Sequence, residues 1–240
     1  EDLLDLLKLF RKATTFYYLR KGGYNYTVRL DSICHDKNNP LRFSCAVRAL
    51  TKAHREFVRH DNLQVMALLD SRLLQEYTNA MRELFKAGLQ SEIAELHDDV
   101  NSDILHIING FNDGFVRARL SEMFSHGADG IIRYYSARLD ELRSVVGGGG
   151  KVYVYGAGST AILVLTVLQQ YEIECVALIV SVGYPPKIDS GVPQVDIPVI
   201  NLDRLERSAR NVIVNGLGID AVKIVLPKLL ADDCERIIML

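Results

Sequence analysis

The spacing of apolar residues changes in the middle of the chain. Between residues 42 and 146, apolar side chains recur every three or four positions, which is the period of one face of an α-helix. This pattern predicts helices at 42–60, 63–87, 89–97, 102–125 and 128–146. The predicted breaks are Asp61-Asn62, Gly88, Asn101-Ser102 and Gly127, the last as a helix C-cap. We therefore predict an antiparallel helical bundle in this half.

Two segments precede the bundle. Residues 2–13 carry leucines on more than one face and predict a short helix that is buried or covered by a partner. From Phe16 to Leu30, aromatic and β-branched residues alternate on both sides of Lys21-Gly22-Gly23, which predicts a β-hairpin. Tyrosines beside cations in this hairpin would suit single-stranded nucleic acid. A hairpin with its aromatics on the core face and its cations in water explains them better, so nucleic acid is not the expected partner. These residues are Tyr17, Tyr18, Arg20, Lys21, Tyr24, Tyr26 and Arg29.

Residues 151–240 follow a different pattern, in which short apolar runs alternate with helical segments. The predicted strands are 152–155, 174–182, 198–200, 211–214 and 236–240. The predicted helices are 159–170, 202–208 and 221–230. Alternating strands and helices require a parallel sheet with right-handed crossovers. The fold class predicted for the whole chain is α/β, a Rossmann-like parallel-sheet domain preceded by a mostly α-helical domain with a short β-hairpin.

Four consecutive glycines, residues 147–150, separate the two halves. Their composition is typical of a flexible linker, and also of an engineered replacement for a longer loop. We predict a helical domain over 1–146 and a nucleotide-binding domain over 151–240. Since the chain begins at Glu1 and ends inside an apolar run, we expect it to be a piece of something longer.

Composition narrows the class of protein. The 240 residues are 48% hydrophobic and 24% charged with a net charge of −2, which is typical of a globular protein and gives no general attraction to nucleic acid or to a membrane. The four cysteines form no C-x-x-C motif, which is typical of a reducing compartment. No basic n-region of a signal peptide stands at the start. We expect a soluble, cytoplasmic protein.

The strongest motif is the glycine turn between the first strand and first helix of the second half. Gly156, Gly158 and Ala161 occupy the places of a G-x-G-x-x-A dinucleotide-binding turn, where the third small residue lets helix and strand pack closely. Ser159 and Thr160 fall at the predicted helix N-terminus, which favours an anion. The turn predicts phosphate or nucleotide binding, and a turn kept for packing alone is the alternative.

The end of the second strand argues against ordinary NAD or NADP. An acidic residue there binds the ribose 2′-hydroxyl in NAD sites. No Asp, Glu or Arg stands between Cys175 and Lys187. A nucleoside phosphate or nucleotide-sugar, which needs only a phosphate cradle, fits better. The loop after the fourth strand, "NGLGID", should lie beside the first turn. There Asn215 would hydrogen-bond the ligand or brace the first loop, and with Gly216 it would close the far side of the ligand. Asp220 would cap the next helix.

The second half resembles a class of small Rossmann modules. They occur in bacterial sugar O-acyltransferases and in nucleotide-sugar enzymes of polysaccharide biosynthesis. The matching stretches are "KVYVYGAGSTA", "ECVALIVSVG", "IPVINLDRL", "NVIVNGLG" and "CERIIML". The family's second strand commonly ends in an Asp that is missing here, so the resemblance implies ligand binding by Gly156, Gly158 and Ser159 only. It also leaves a degenerate, structural copy as an alternative.

No catalytic residue or metal site is identified. The acids and histidines that could bind a divalent metal straddle the predicted break at Asn101-Ser102 and lack H-E-x-x-H spacing. They are Glu92, Glu95, His97, Asp98, Asp99, Asp103 and His106. No G-x-S-x-G motif is present, and no cysteine stands at a predicted helix N-terminus.

Three functional hypotheses follow. The first is a nucleotide- or nucleotide-sugar-binding module, whose partner is a phosphate-containing small molecule. The second is a non-catalytic scaffold that binds a protein or itself through the helical half. The third is an oxidoreductase that binds its cofactor in an unusual pose. The lack of an acidic residue at the end of the second strand argues against it.

Overall fold

The computed structural model describes residues 39–57, 63–110, 114–188, 195–206, 208–218, 221–222 and 237–240. The predicted helix at 2–13 and the hairpin at 16–30 lie outside them. The described helices are α1 (Leu41–Phe57), α2 (Leu63–Lys86), α3 (Gln90–Asn109), α4 (Gly114–Phe124), α5 (Gly127–Gly147) and α6 (Ser159–Gln170). The described strands are β1 (Val152–Tyr155), β2 (Cys175–Val180), β3 (Val199–Asn201), β4 (Val212–Asn215) and β5 (Ile237–Met239). The chain is therefore α/β, with helices first and strands later, as predicted.

The five strands form one parallel sheet in the order β3-β2-β1-β4-β5. β1 and β4 are buried along their whole length, as expected of central strands covered on both faces. Strand order reverses on either side of β1, because β2 lies on one side and β4 on the other. This is a Rossmann-like arrangement, whose topological switch point lies where β1 ends.

Three predicted elements differ from the structure. The helix predicted at 102–125 is two helices, because its first part belongs to α3, which ends at Asn109 with Gly110 as its C-cap, and α4 begins at Gly114. The predicted break at Asn101-Ser102 is wrong, because α3 runs unbroken from Gln90 to Asn109. Its buried stripe, including Val100 and Ile104, keeps helical spacing across that point and outweighs the low propensity of the polar pair. The helix predicted at 202–208 is only a 3-10 turn, Leu202–Arg204.

The described chain divides into two compact units, Glu1–Ala80 and Met81–Leu240. In the first unit, α1 and α2 are joined by a hydrogen bond of 2.9 Å between His54 Nε2 and Asp70 Oδ1. His54 is almost completely buried there. The predicted domain boundary at residues 147–150 remains a prediction.

In the second unit, polar hydrogen bonds join helices to the sheet and to one another. The buried guanidinium of Arg82 donates from Nε to the backbone oxygen of Leu240 at 3.0 Å, and its Nη2 donates to the same atom. The Tyr134 hydroxyl donates to the Met239 backbone oxygen at 3.1 Å. Lys86 Nζ donates to Thr166 Oγ1 of α6 at 3.2 Å. Side chains of α2 and α5 thus satisfy carbonyl groups at the end of β5.

The four glycines close α5 in a tight turn. Gly149 has φ of +75°, and its N–H donates to Val146 O at 3.0 Å, while the Gly150 N–H donates to Val145 O at 2.8 Å. These two bonds define a Schellman motif. A Cβ on Gly150 would lie 2.2 Å from Arg210 O, so the chain passes too close to that carbonyl for any other residue. In the described part of the chain, no helix is long and apolar enough to cross a membrane.

Candidate functional site

The first glycine turn joins β1 to α6 at the carboxyl edge of the sheet. Gly156 is buried with φ of +124°, a conformation that side chains rarely adopt. Its N–H donates to Ile179 O at 2.8 Å, and a Cβ would lie 2.7 Å from Gly216 O. Both the backbone angle and the close approach therefore require glycine at position 156.

Gly158 is the N-cap of α6 and has extended backbone angles, φ −97° and ψ −170°. With no side chain, it offers no oxygen to the first turn of the helix. The first N–H groups of an α-helix have no partner within the helix, and they carry its positive dipole end. Ser159 is exposed and Thr160 half-buried at this end. The start of α6 can therefore hold an anion through backbone N–H groups and two hydroxyls.

The second glycine turn, after β4, lies against the first, as predicted. The Gly216 N–H donates to Tyr155 O at 2.8 Å. A Cβ on Gly216 would lie 2.7 Å from Val154 Cγ1 and 2.9 Å from Ala161 Cα. Two small residues, Gly216 and Ala161, thus allow α6 to pack directly on the β4 turn. Gly156 and Gly216 are the predicted site residues that this contact brings together.

Asn215 is used inside its own turn. Its side chain is only 7% exposed, with Oδ1 accepting from the Leu217 N–H at 3.2 Å and Nδ2 donating to Leu217 O at 3.4 Å. Such an Asx turn stabilises the loop after β4. The structure therefore places Asn215 as a brace of the second turn, and contact with a ligand remains a prediction. The predicted cap Asp220 lies outside the described residues.

A polar network at the ends of β1, β2 and β3 was missed from the sequence. The Tyr155 hydroxyl and Ser181 Oγ are 2.6 Å apart, and either can donate. Asn201 Nδ2 donates to Ser181 O at 3.2 Å and to Tyr184 O at 2.9 Å. Ser181 stands where an NAD site has its acid, and its hydroxyl binds Tyr155 instead. The available signal was a polar residue at or just after the end of each of these strands.

This network holds a turn that presents apolar side chains to solvent. Residues 181–184 are closed by a Tyr184 N–H to Ser181 O hydrogen bond of 3.1 Å, with Gly183 at φ +89°. These features indicate a type II turn, which needs glycine at this place. Val182 is 63% exposed and Tyr184 is 68% exposed. An aromatic ring thus stands free in solvent beside the end of β2, the strand that neighbours the first glycine turn.

Of the candidate nucleophiles and metal ligands that the structure describes, Cys175 and His97 are poorly placed for chemistry. Burial raises the pKa of the Cys175 thiol to about 11, which keeps it protonated and unreactive near neutral pH. Burial lowers the pKa of His97, which lies inside the helical part while its neighbours Asp98 and Asp99 are exposed. Among the described residues, no three His, Cys, Asp or Glu side chains are grouped to hold a metal ion. The chemistry that this geometry supports is binding of an anionic group.

Comparisons with protein-family models, with curated proteins and with solved structures found no match. The geometry of the carboxyl edge is therefore the evidence for a function. The resemblance to sugar-modifying Rossmann modules remains a prediction.

Proposed function

We propose that this protein binds a nucleotide or nucleotide-sugar at the carboxyl edge of its sheet. The observation that carries the proposal is the N-terminus of α6, which has no side-chain cap and follows the Gly156-Ala157-Gly158 turn at the switch point. Phosphate oxygens would accept hydrogen bonds from the backbone N–H groups of residues 158–160. The hydroxyls of Ser159 and Thr160 would add two further donors.

The end of β2 supports a nucleotide of a particular kind. Ser181 replaces the acidic residue that hydrogen-bonds the ribose 2′-hydroxyl in NAD sites, so binding of ordinary NAD or NADP is disfavoured. Tyr184 offers an exposed ring on which a base can stack, and stacking does not require that acid. We propose that the chain is a module of an enzyme of glycan or polysaccharide biosynthesis on the sequence resemblance alone.

A thermal-shift panel tests the proposal. Purified protein is heated with adenine and uridine nucleotides, several nucleotide-sugars, NAD(H) and NADP(H). A ligand at 100 times its dissociation constant stabilises the fold by about 2.7 kcal/mol, which raises the Tm measurably. We expect a shift with nucleotides or nucleotide-sugars and a smaller one with NAD(H).

A matched pair of variants locates the binding. In Gly158→Val the extended backbone at position 158 can remain, because valine adopts such angles readily. Its side chain would occupy the position proposed for the phosphate. Gly147→Val is the control, because Gly147 has open space around its Cβ position at the end of α5. The shift should disappear in the first variant and persist in the second. A shift that survives in Gly158→Val would refute the site.

A non-catalytic scaffold is the second candidate, and one observation favours it. Polar groups at the carboxyl edge, including those of Asn215 and Ser181, already bind protein groups. Under this hypothesis no ligand in the panel shifts the Tm. Gly158→Val would then change stability alone.

A further inference from the structure

A cavity of about 320 Å³ opens on the surface of the second unit, away from the glycine turns. Phe85, Ile93 and Leu139 supply apolar walls, and Ile93 and Leu139 are almost completely buried. Its volume is at the lower end of ligand pockets, about 300–1,000 Å³. The cavity therefore suits a molecule much smaller than a dinucleotide.

Two aromatic rings form one side of this cavity. The rings of Phe85 and Tyr171 are stacked, with centroids 5.9 Å apart and planes 19° apart. Tyr171 directly follows α6, whereas Gly158 directly precedes it. A helix of 12 residues is about 18 Å long, so the cavity and the first glycine turn lie at opposite ends of α6. They are separate places on the molecule.

Among the described residues that line the cavity, one is a cation and one is an anion. Arg143 Nη1 and Asp140 Oδ1 are 3.2 Å apart, and the guanidinium lies 5.6 Å from the centroid of the Tyr171 ring. Ser136 and Gln90 add uncharged donors and acceptors. An exposed ion pair by itself contributes little to stability. Here it borders an apolar cavity, which places both charges within reach of a bound polar head group.

We propose that this cavity binds a free apolar α-amino acid. The carboxylate would accept hydrogen bonds from Arg143, and the ammonium would donate to Asp140. The apolar side chain would lie against Phe85, Ile93 and Leu139. A zwitterion matches this rim because the ligand and the lining each carry one charge of each sign, so neither partner is left with an uncompensated charge.

Isothermal titration calorimetry of the whole chain with L-phenylalanine tests the proposal. Three analogues each remove one feature: N-acetyl-L-phenylalanine lacks the ammonium, L-phenylalaninamide lacks the carboxylate, and glycine lacks the apolar side chain. We expect saturable binding of L-phenylalanine with one site per chain. Each analogue should bind at least about tenfold more weakly, as expected when a charge-assisted hydrogen bond or apolar burial is lost.

Variants test which charged side chain of the rim binds which charged group of the amino acid. Arg143→Gln should weaken L-phenylalanine binding about tenfold and remove its advantage over the amide. Asp140→Asn should do the same toward the N-acetyl analogue. Arg133→Gln is the control, because Arg133 is exposed on α5 and does not line the cavity. Gly158→Val should leave the affinity unchanged, which separates this site from the nucleotide site.

Three results would overturn the proposal. One is the absence of saturable heat at millimolar L-phenylalanine. Another is equal affinity for L-phenylalanine and its amide or N-acetyl analogue, which would show that the cavity binds the phenyl ring without recognising the charged groups. The third is unchanged affinity in both rim variants.

Discussion

The two glycine turns at the carboxyl edge lie against each other and yet differ in what they leave open. The turn after β1 leads into a helix whose first N–H groups face no side-chain cap. The turn after β4 is closed by Asn215, which binds both backbone groups of Leu217. In both turns, glycine permits the close approach of neighbouring segments. Whether the nearby N–H groups remain for a ligand depends on the residue next to the glycine.

The largest expected effect comes from adding a methyl group to the second turn. In Gly216→Ala the new Cβ would lie 2.9 Å from the Ala161 backbone, which cannot move without shifting α6. Overpacking of this kind should lower the free energy of unfolding by about 3 kcal/mol. Urea unfolding measures it. Gly114→Ala, with open space at its Cβ position, is the control and should change stability far less.

A binding effect of intermediate size is expected at the exposed tyrosine beside the first turn. Tyr184→Ala should weaken nucleotide binding about tenfold, since stacking of a base on an aromatic ring contributes about 1–3 kcal/mol. It should leave pyrophosphate binding unchanged, because pyrophosphate has no base. Calorimetry with the nucleotide and with pyrophosphate measures both affinities. Tyr184→Phe is the control and should retain the nucleotide affinity, because it keeps an aromatic ring. Equal weakening of both ligands would contradict base stacking.

A smaller stability effect is expected at Asn215. Asn215→Ala removes two hydrogen bonds that close the second turn and should lower the free energy of unfolding by about 1 kcal/mol. Nucleotide affinity should remain the same if Asn215 is a brace. Asn215→Asp keeps the acceptor for the Leu217 N–H and should recover part of the loss. A tenfold loss of affinity in the alanine variant would instead make Asn215 a ligand contact.

The smallest effect concerns acid sensitivity. Neither turn contains a titratable side chain at 156–158 or 215–218, whereas burial lowers the pKa of His97 below its ordinary 6.5. The unfolded chain then binds more protons below pH 6.5, so stability falls as the pH falls toward the folded-state pKa. Urea unfolding between pH 7.5 and 5 should show a shallower loss in His97→Gln. The Gly216→Ala and Asn215→Ala variants should keep the original slope.

Local patterns predicted local structure well. Strand 152–155 and helix 159–170 were located to the residue, because an apolar run, a glycine turn and a helical period follow one another directly. The break at Asn101-Ser102 failed because tertiary burial of neighbouring positions outweighed local propensity.

Contacts between distant segments could not be predicted in the same way. The hydrogen bonds of Tyr155, Ser181 and Asn201 depend on strand order, which the sequence does not specify in detail. The cavity depends on Phe85, Arg143 and Tyr171, which come from three different parts of the chain. The glycine turn was therefore predictable from the sequence, whereas the residues that surround it were not.

The contact between Arg82 and Leu240 has a consequence for the kinetics of folding. It joins positions 158 residues apart, so forming it before the rest of the fold would cost the entropy of closing a long loop. We expect β5 to dock late, after the barrier to folding. Weakening the contact, as in Arg82→Met, should then accelerate unfolding and leave the folding rate almost unchanged. The edge strand would thus determine how long the folded protein lasts, rather than how quickly it forms.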